Sequence, residues 1–472
     1  MKKAIFLGII QIPIQILLTI ISQAYLLNNT PLHVVRWWYL LLSLAPIFSA
    51  LEFAYPQIAI SFFNNNPGSK SCFKFLRKSI SIITVAQILF FLIYVFSYQG
   101  SNDDDLIFIA LYFSSMYIRS ICNIFVSVIY SLGGVVEEKT YKILYTCSFP
   151  LIFIVCSCLF TISKWLIIMS FFLSTMALFV FTLYKFFSSQ KNKLNIIRTD
   201  YNCSLSMMNN LKLLLTTLPG VFIFNLSIYY LEFFSNRPES STSVDVVSFG
   251  FFLQMFNIFN IINSIFTSVY LPRIARKFYQ KESIENDIKN LLLINSSVAI
   301  VVITSALFIG GQILSLIFHP QGVDFNRLMY FLVYVIAIES IQVTMTAISI
   351  GTGFYKFHIP SFLSALFVFL FSYFSVPTGG SEALIYSILL AQCLTCLPLN
   401  IFYSVRHLKI SFEMVFYSLL SIISVVVLCM IVKSVISDGI QLLLIYGVFI
   451  SVEIFFFKKY VFSQIKYMLK DS

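Results

Sequence analysis

Apolar runs long enough to cross a bilayer recur about fourteen times along this chain, at roughly 20 residues per crossing. That repetition leaves little choice of fold. Hydrocarbon offers no hydrogen-bond partners, so spanning segments must satisfy their own backbone as helices or as closed barrels. Runs of this length read as helices. The segments are 4–27, 37–63, 79–98, 106–132, 143–162, 165–187, 213–234, 248–271, 291–318, 328–353, 361–375, 383–403, 414–433 and 440–457. Only 11% of the 472 residues are charged, against about 25% in soluble domains, and no stretch is left for a separate soluble domain. The class is an all-α polytopic membrane protein.

The net charge of +11 does not point to nucleic acid. The basic residues fall in short connections on one side of the proposed membrane, from Lys2 and Lys3 through Arg77, Lys142, Lys185, Arg273 and Arg406 to Lys470. The opposite connections carry Arg36, Lys164, Arg237 and Arg327. About 25 against 4 is a strong positive-inside bias, and it places both termini in the cytoplasm. The N-terminus has a rival reading as a signal peptide, because Lys2-Lys3 precede an apolar run that ends in Ser22-Gln23-Ala24. Gln11, Gln15 and Thr19 interrupt that run, so it reads as a retained first helix. The basic, Asn- and Ser-rich stretch 188–212 divides the chain. The organisation is a six-helix bundle over 1–187, a cytoplasmic linker over 188–212, a second six-helix bundle over 213–404, and two further helices with a tail over 405–472.

Three charges fall near the middle of apolar segments: Glu52, Arg119 and Glu339. A charge at bilayer depth costs about 2.5–3.5 kcal/mol on insertion scales, so it marks a polar interior or a transport path. The second segment carries Ser49, Glu52 and Pro56 on one face, and the fourth carries Tyr112, Ser115, Arg119, Asn123 and Tyr130. Glu52 and Arg119 either pair with each other or line a pathway, and the two are not exclusive. Asn225 and Glu232 follow the Pro219-Gly220 break in the seventh segment. The eighth is the most polar, with Gln254, Asn257, Asn260, Ser264 and Ser268 in one sector. These amides are either interhelical glue or a wall suited to sugar hydroxyls, which need both donors and acceptors. Glu339, with Gln342, Thr346 and Ser349 on its face, has no cation partner in the sequence pattern and suits an ion-coupling role, as Glu52 does.

No G-x-S-x-G, P-loop or H-E-x-x-H pattern occurs, and His33, His319, His358 and His407 form no ligand cluster. The nine Cys lie mostly in apolar segments, and Cys393-x-x-Cys396 has no second pair. The expectation is no enzyme, no cofactor and no metal.

Several stretches together resemble the Wzx-type O-antigen flippases, polysaccharide-lipid flippases of the multidrug/oligosaccharidyl-lipid/polysaccharide exporter superfamily. Leu51-Glu52-Phe53-Ala54-Tyr55 is similar to the family's acidic segment, with Glu where Asp is usual. Tyr117-Ile118-Arg119 is similar to its Tyr-x-Arg segment, and Leu271-Pro272-Arg273-Ile274-Ala275-Arg276 to its Pro-containing exit from the eighth helix. Ile350-Gly351-Thr352-Gly353 and Val376-Pro377-Thr378-Gly379-Gly380-Ser381-Glu382-Ala383 resemble the glycine end of the tenth helix and the Pro-Gly loop before the twelfth, with its two Gly adjacent here.

The resemblance implies two six-helix bundles around a V-shaped central cavity. It implies a cargo of oligosaccharide joined to undecaprenol by pyrophosphate, carried to the periplasmic leaflet of the bacterial inner membrane by alternating access. Arg119 would pair with phosphate. Glu52, Asn123, Asn225, Gln254, Asn257 and Asn260 would contact the headgroup. Arg273, Arg276 and Lys277 would stand at the entrance, where anchoring of topology is their commoner role. A polysaccharide polymerase and a chain-length regulator are the implied partners, beside membrane lipid. The rivals are a drug or metabolite antiporter of the same superfamily, an O-antigen polymerase or ligase, and a scaffold without transport. The first would favour an Arg-poor cavity. The second would need a large outer loop, which this chain lacks.

Overall fold

The structure is a computed structural model that describes residues 2–52, 55–56, 69–97, 103–131, 134–193, 218–235, 237–319, 322–354, 356–435, 446–449 and 451. The described residues are helical throughout apart from short turns. Ten of their helices are long and apolar enough to cross a membrane. The protein is a multi-pass, all-α membrane protein, and it divides into two compact units, Met1–Val221 and Phe222–Ser472.

The first unit contains α1 (Lys2–Asn29), α2 (Leu32–Ser43), α3 (Ala45–Ala50), α4 (Ser69–Ser97), α5 (Asp103–Ser131), α6 (Val135–Leu159) and α7 (Lys164–Lys193). α1 packs along α6, and α5, α6 and α7 pack on one another. Within α1, Ser22 and Gln23 are buried, and Gln23 accepts a 2.6 Å hydrogen bond from the Tyr39 hydroxyl. The second apolar run is not one rod. α2 gives way to α3 just before Pro46, and α3 ends at Ala50 in a turn that holds Glu52. Proline lacks an N–H and its ring blocks the preceding turn, so a break beside it is expected. An aromatic cluster fills the centre of this unit: Trp38, Tyr112 and Phe149 lie 5.4–5.6 Å from Phe171 by ring centroids. Such edge and offset contacts add to the area that the rings bury.

The second unit contains α8 (Ile228–Phe234), α9 (Glu239–Tyr279), α10 (Glu285–Ser305), α11 (Gly311–Ile317), α12 (Phe325–Gly351), α13 (His358–Ala391), α14 (Leu397–Leu408) and α15 (Phe412–Val435). α9 is 41 residues long, about 60 Å at 1.5 Å per residue, and it starts well before the expected 248. α13 is an αα-hairpin. Gly380, at φ +58°, makes its turn. The Ser375 and Ser387 hydroxyls lie 3.0 Å apart and the Cys396 thiol lies 3.5 Å from the Pro360 carbonyl, so the two arms run side by side. The adjacent Gly379-Gly380 therefore turn the chain between the eleventh and twelfth expected segments. A side chain at Gly380 would both strain the backbone and collide with Arg237 and Asp245.

Two π-helical turns interrupt this unit, at Ala306–Gly310 and Gln392–Cys396. At the first, the Leu307 carbonyl accepts a 2.6 Å hydrogen bond from Lys433 of α15, whose ammonium also lies 4.6 Å from the Tyr330 ring. Of the two expected C-terminal helices, α15 is the first. Most of the second lies outside the described residues, as does most of the 188–212 linker. Its start, to Lys193, continues α7.

Candidate functional site

Arg119 projects from the middle of α5 and is 7% exposed. Its neighbours come from the two helices packed on that face. From α7, the Thr175 hydroxyl accepts from Nε at 3.1 Å and the Ser174 hydroxyl accepts from Nη2 at 3.2 Å. The guanidinium carbon lies 4.2 Å from the centroid of Phe171, also on α7, and 4.7 Å from that of Tyr145 on α6. Both distances are within cation–π range. No carboxylate among the described residues lies within ion-pair distance of it. Nη1 makes no hydrogen bond to the described residues. Arg119 is therefore a buried cation, held on two edges by neutral hydroxyls and clasped by aromatic faces, with donor capacity left over.

Glu52, also 7% exposed, does not pair with Arg119. Its Oε1 accepts from Asn123 Nδ2 at 2.9 Å, and the Ser120 hydroxyl lies beside it. Asn123 Oδ1 in turn accepts from the Tyr141 hydroxyl at 2.9 Å, and Gln87 Nε2 donates to Ser120 at 2.9 Å. One polar network thus joins the Glu52 turn to α4, α5 and α6. Arg119, Ser120 and Asn123 share little more than one turn of α5. That turn presents the cation toward α7 and the carboxylate's donors toward Glu52. Of the two sequence expectations for this pair, the direct ion pair is absent.

Glu339, in α12 of the second unit, is 4% exposed. Among the described residues its Oε1 has no hydrogen-bond partner, and no cation pairs with it. It lines a crevice with Phe224, Val335, Ile338, Ile388, Leu389 and Gln392 that is too tight for a water molecule. Gln392 begins the second π-turn and accepts from Gln342 Nε2 at 3.3 Å. Unlike Glu52, which accepts from Asn123, this carboxylate has an oxygen without a hydrogen-bond partner, and it stands beside a π-helical turn.

The other expected residues separate by face. Asn225 lies in a turn just before α8, so the chain bends there rather than at Pro219-Gly220. On α9, Asn257 and Ser264 are exposed, and Gln254 and Asn260 are partly buried. The amide sector is thus largely an outer face of that helix. The polar residues that bind helices together lie on its other side. Asn263 donates to the Ser340 carbonyl at 3.4 Å, and Asn295 of α10 donates to Thr267 and Thr344 at 3.0 and 2.7 Å. Glu232 is partly buried, and Glu453, a weaker candidate in the last apolar segment, lies outside the described residues.

The expected entrance cations are mostly engaged. Arg273 and Lys277 both pair with buried Asp287, at 3.2 and 2.7 Å, and Arg276 is exposed. Asp245, absent from the sequence expectations, is buried and holds the Gly380 hairpin. Its Oδ2 pairs with Arg237 at 2.6 Å, and its Oδ1 accepts from the Ser381 N–H and hydroxyl at 3.2 and 3.0 Å.

The architecture has solved counterparts. The fold is that of transporters of the MOP superfamily. A MOP superfamily transporter from Pyrococcus furiosus, described by the reverse polarity of its binding pocket, superposes with a TM-score of 0.64 at 12% identity, over 86% of this chain and 96% of that one. The lipid II flippase MurJ, in an inward closed conformation, superposes with a TM-score of 0.65 at 13% identity, over 98% of this chain and 100% of that one. A multidrug resistance MATE family transporter in an outward-facing conformation gives 0.61 at 12% identity, over 86% and 96%. At these identities the likeness is one of fold. No protein-family model matches the sequence, and no curated protein does.

Proposed function

We propose that this protein is a flippase that moves an undecaprenyl-pyrophosphate-linked oligosaccharide, an O-antigen or similar repeat unit, from the cytoplasmic to the periplasmic leaflet of a bacterial inner membrane by alternating access. The observation that carries this reading is Arg119. A guanidinium buried without a carboxylate partner is costly unless something anionic joins it, and a planar fork with a free edge suits a phosphate oxygen. Pyrophosphate cannot cross hydrocarbon bare, so a flippase for such a lipid needs a sheltered cation at membrane depth.

Further support comes from the amides of the second unit. Asn257 is exposed within a membrane-spanning helix, where lipid would leave its hydrogen bonds unmet. Gln254, Asn257, Asn260 and Asn225 are assigned to sugar hydroxyls, and Glu52 and Asn123 to the wall beside the phosphate site, which they border without touching the phosphate. Glu339 is assigned to ion coupling, because an unpartnered carboxylate can take up and release a cation or proton without breaking a structural bond. The likeness to the lipid II flippase, over nearly all of both chains, agrees with a lipid-linked cargo. Arg119 disfavours the drug-antiporter alternative for cationic drugs. Both termini are assigned to the cytoplasm, and a polymerase and a chain-length regulator to the neighbouring steps.

The test is complementation of a strain that lacks its own flippase. Wild-type protein should restore surface glycan, and Arg119→Ala should not, although it reaches the membrane in equal amount. Normal glycan in the Arg119→Ala strain would remove the reading.

A further inference from the structure

The two buried charges of the first unit belong to one short stretch of packing, yet they do not meet. Tyr141 and Tyr145, one turn apart on α6, each touch the surroundings of one of them: Tyr145 packs on Arg119, and Tyr141 bonds the amide that holds Glu52. Their rings lie 5.8 Å apart by centroids. The Tyr145 ring takes one face of the Arg119 guanidinium. The Tyr141 hydroxyl donates to Asn123 Oδ1 at 2.9 Å, which fixes the amide so that its Nδ2 is the edge offered to Glu52. Tyr141 is buried and within electrostatic range of both charges.

Glu52 lies in a turn, outside the helices on either side, and its carbonyl accepts from the Tyr55 N–H at 3.0 Å. It follows the end of α3 on a turn between Pro46 and Pro56, and its N–H reaches the Ser49 carbonyl at a long 3.3 Å. Its side-chain partners decide where the carboxylate points. Opposite charges attract much more strongly inside a protein than in water, and a carboxylate that reached the guanidinium would form a charge-assisted pair.

We propose that Tyr141 is a positioning residue that keeps Glu52 on Asn123 and away from Arg119, so that the guanidinium stays free for an anionic cargo group. This rests on the reading of Arg119 as the phosphate-binding residue. Without the Tyr141 hydroxyl, the Asn123 amide is no longer locked. Glu52 then turns to Arg119 and competes with the cargo for it. The carboxylate acts as an internal substitute for phosphate, and Tyr141 holds it in reserve.

The experiment is binding of farnesyl pyrophosphate to purified full-length protein in nanodiscs, read by quenching of tryptophan fluorescence. Trp38 lies 5.6 Å from Phe171, the ring beneath Arg119, and is well placed to report. Tyr141→Phe keeps the ring packing and removes only the hydroxyl. It should weaken binding about tenfold, the loss of roughly one charge-assisted contact. Asn123→Leu should do the same by a different route. Adding Glu52→Gln to either variant should restore wild-type affinity to within about twofold, because the competitor is gone. A merely structural loss would not be rescued in this way. Wild-type affinity in Tyr141→Phe and Asn123→Leu, or a loss that Glu52→Gln fails to rescue, overturns the proposal. Wild-type affinity in Arg119→Ala would instead overturn the phosphate reading on which it stands.

Discussion

The two units bury charge in opposite ways. In the first, Arg119 and Glu52 are each wrapped by neutral partners: hydroxyls and aromatic faces for the cation, an amide and a hydroxyl for the carboxylate. In the second, Glu339 sits in a tight apolar crevice with one oxygen unmet. The difference separates two kinds of cost. A buried carboxylate whose hydrogen bond is met, as at Glu52, is a stable fixture whose removal strands its donor. An unsatisfied one is a standing penalty that persists only where a passing ligand repays it. The first arrangement suits holding a cargo group, and the second suits binding and releasing a small cation.

The strongest way to break this contrast is Arg119→Ala. Transport of lipid-linked oligosaccharide should fall about 10- to 150-fold, since one buried charge-assisted contact is worth about 1.5–3 kcal/mol. A flipping assay in proteoliposomes checks it. Next comes stability. Glu52→Leu leaves Asn123 Nδ2 without its acceptor and should destabilise the first unit by about 1–3 kcal/mol. Glu339→Leu removes an unmet group and should leave stability unchanged or raise it by about 1 kcal/mol. Thermal unfolding in detergent compares the two, and equal losses would erase the contrast. Asp245→Ala should cost about 1–2 kcal/mol by uncapping Ser381 and releasing Arg237, with no change in cargo binding. Glu339→Gln should have the subtlest signature, a flatter pH dependence of transport near an unchanged maximum rate. A pH profile identical to wild type would refute a coupling role.

The all-α membrane architecture was legible because apolar runs of bilayer length admit few folds. The hairpin at Gly380 was legible for a similar reason, since Pro377-Thr378-Gly379-Gly380 can only interrupt a helix. Burial of Glu52, Arg119 and Glu339 also followed from their depth in apolar segments. Their partners did not. Ser174 and Thr175 lie 55 and 56 residues from Arg119, and a polar pair inside an apolar helix does not say which neighbour it faces. Tyr141 looked like one aromatic among 26 Tyr, although a buried tyrosine hydroxyl usually finds a partner. The start of α9 was misplaced because Glu239 to Asp245 is polar enough to read as loop. The polar sector of α9 coincides largely with its outer face, whereas Asn263 and Thr267 sit on the packed face. Periodicity locates a polar stripe, and only packing says whether a stripe is outer face or glue.

The central claim is that the buried guanidinium of Arg119 carries a pyrophosphate-linked sugar across the membrane. Its most direct test is reconstitution of purified wild-type and Arg119→Ala protein into liposomes loaded with polyisoprenyl-pyrophosphate oligosaccharide, with movement between leaflets followed by a sugar-binding probe outside. The account predicts rapid movement with the wild type and movement at least about tenfold slower with Arg119→Ala. Equal movement by both proteins, or none by either, would contradict it.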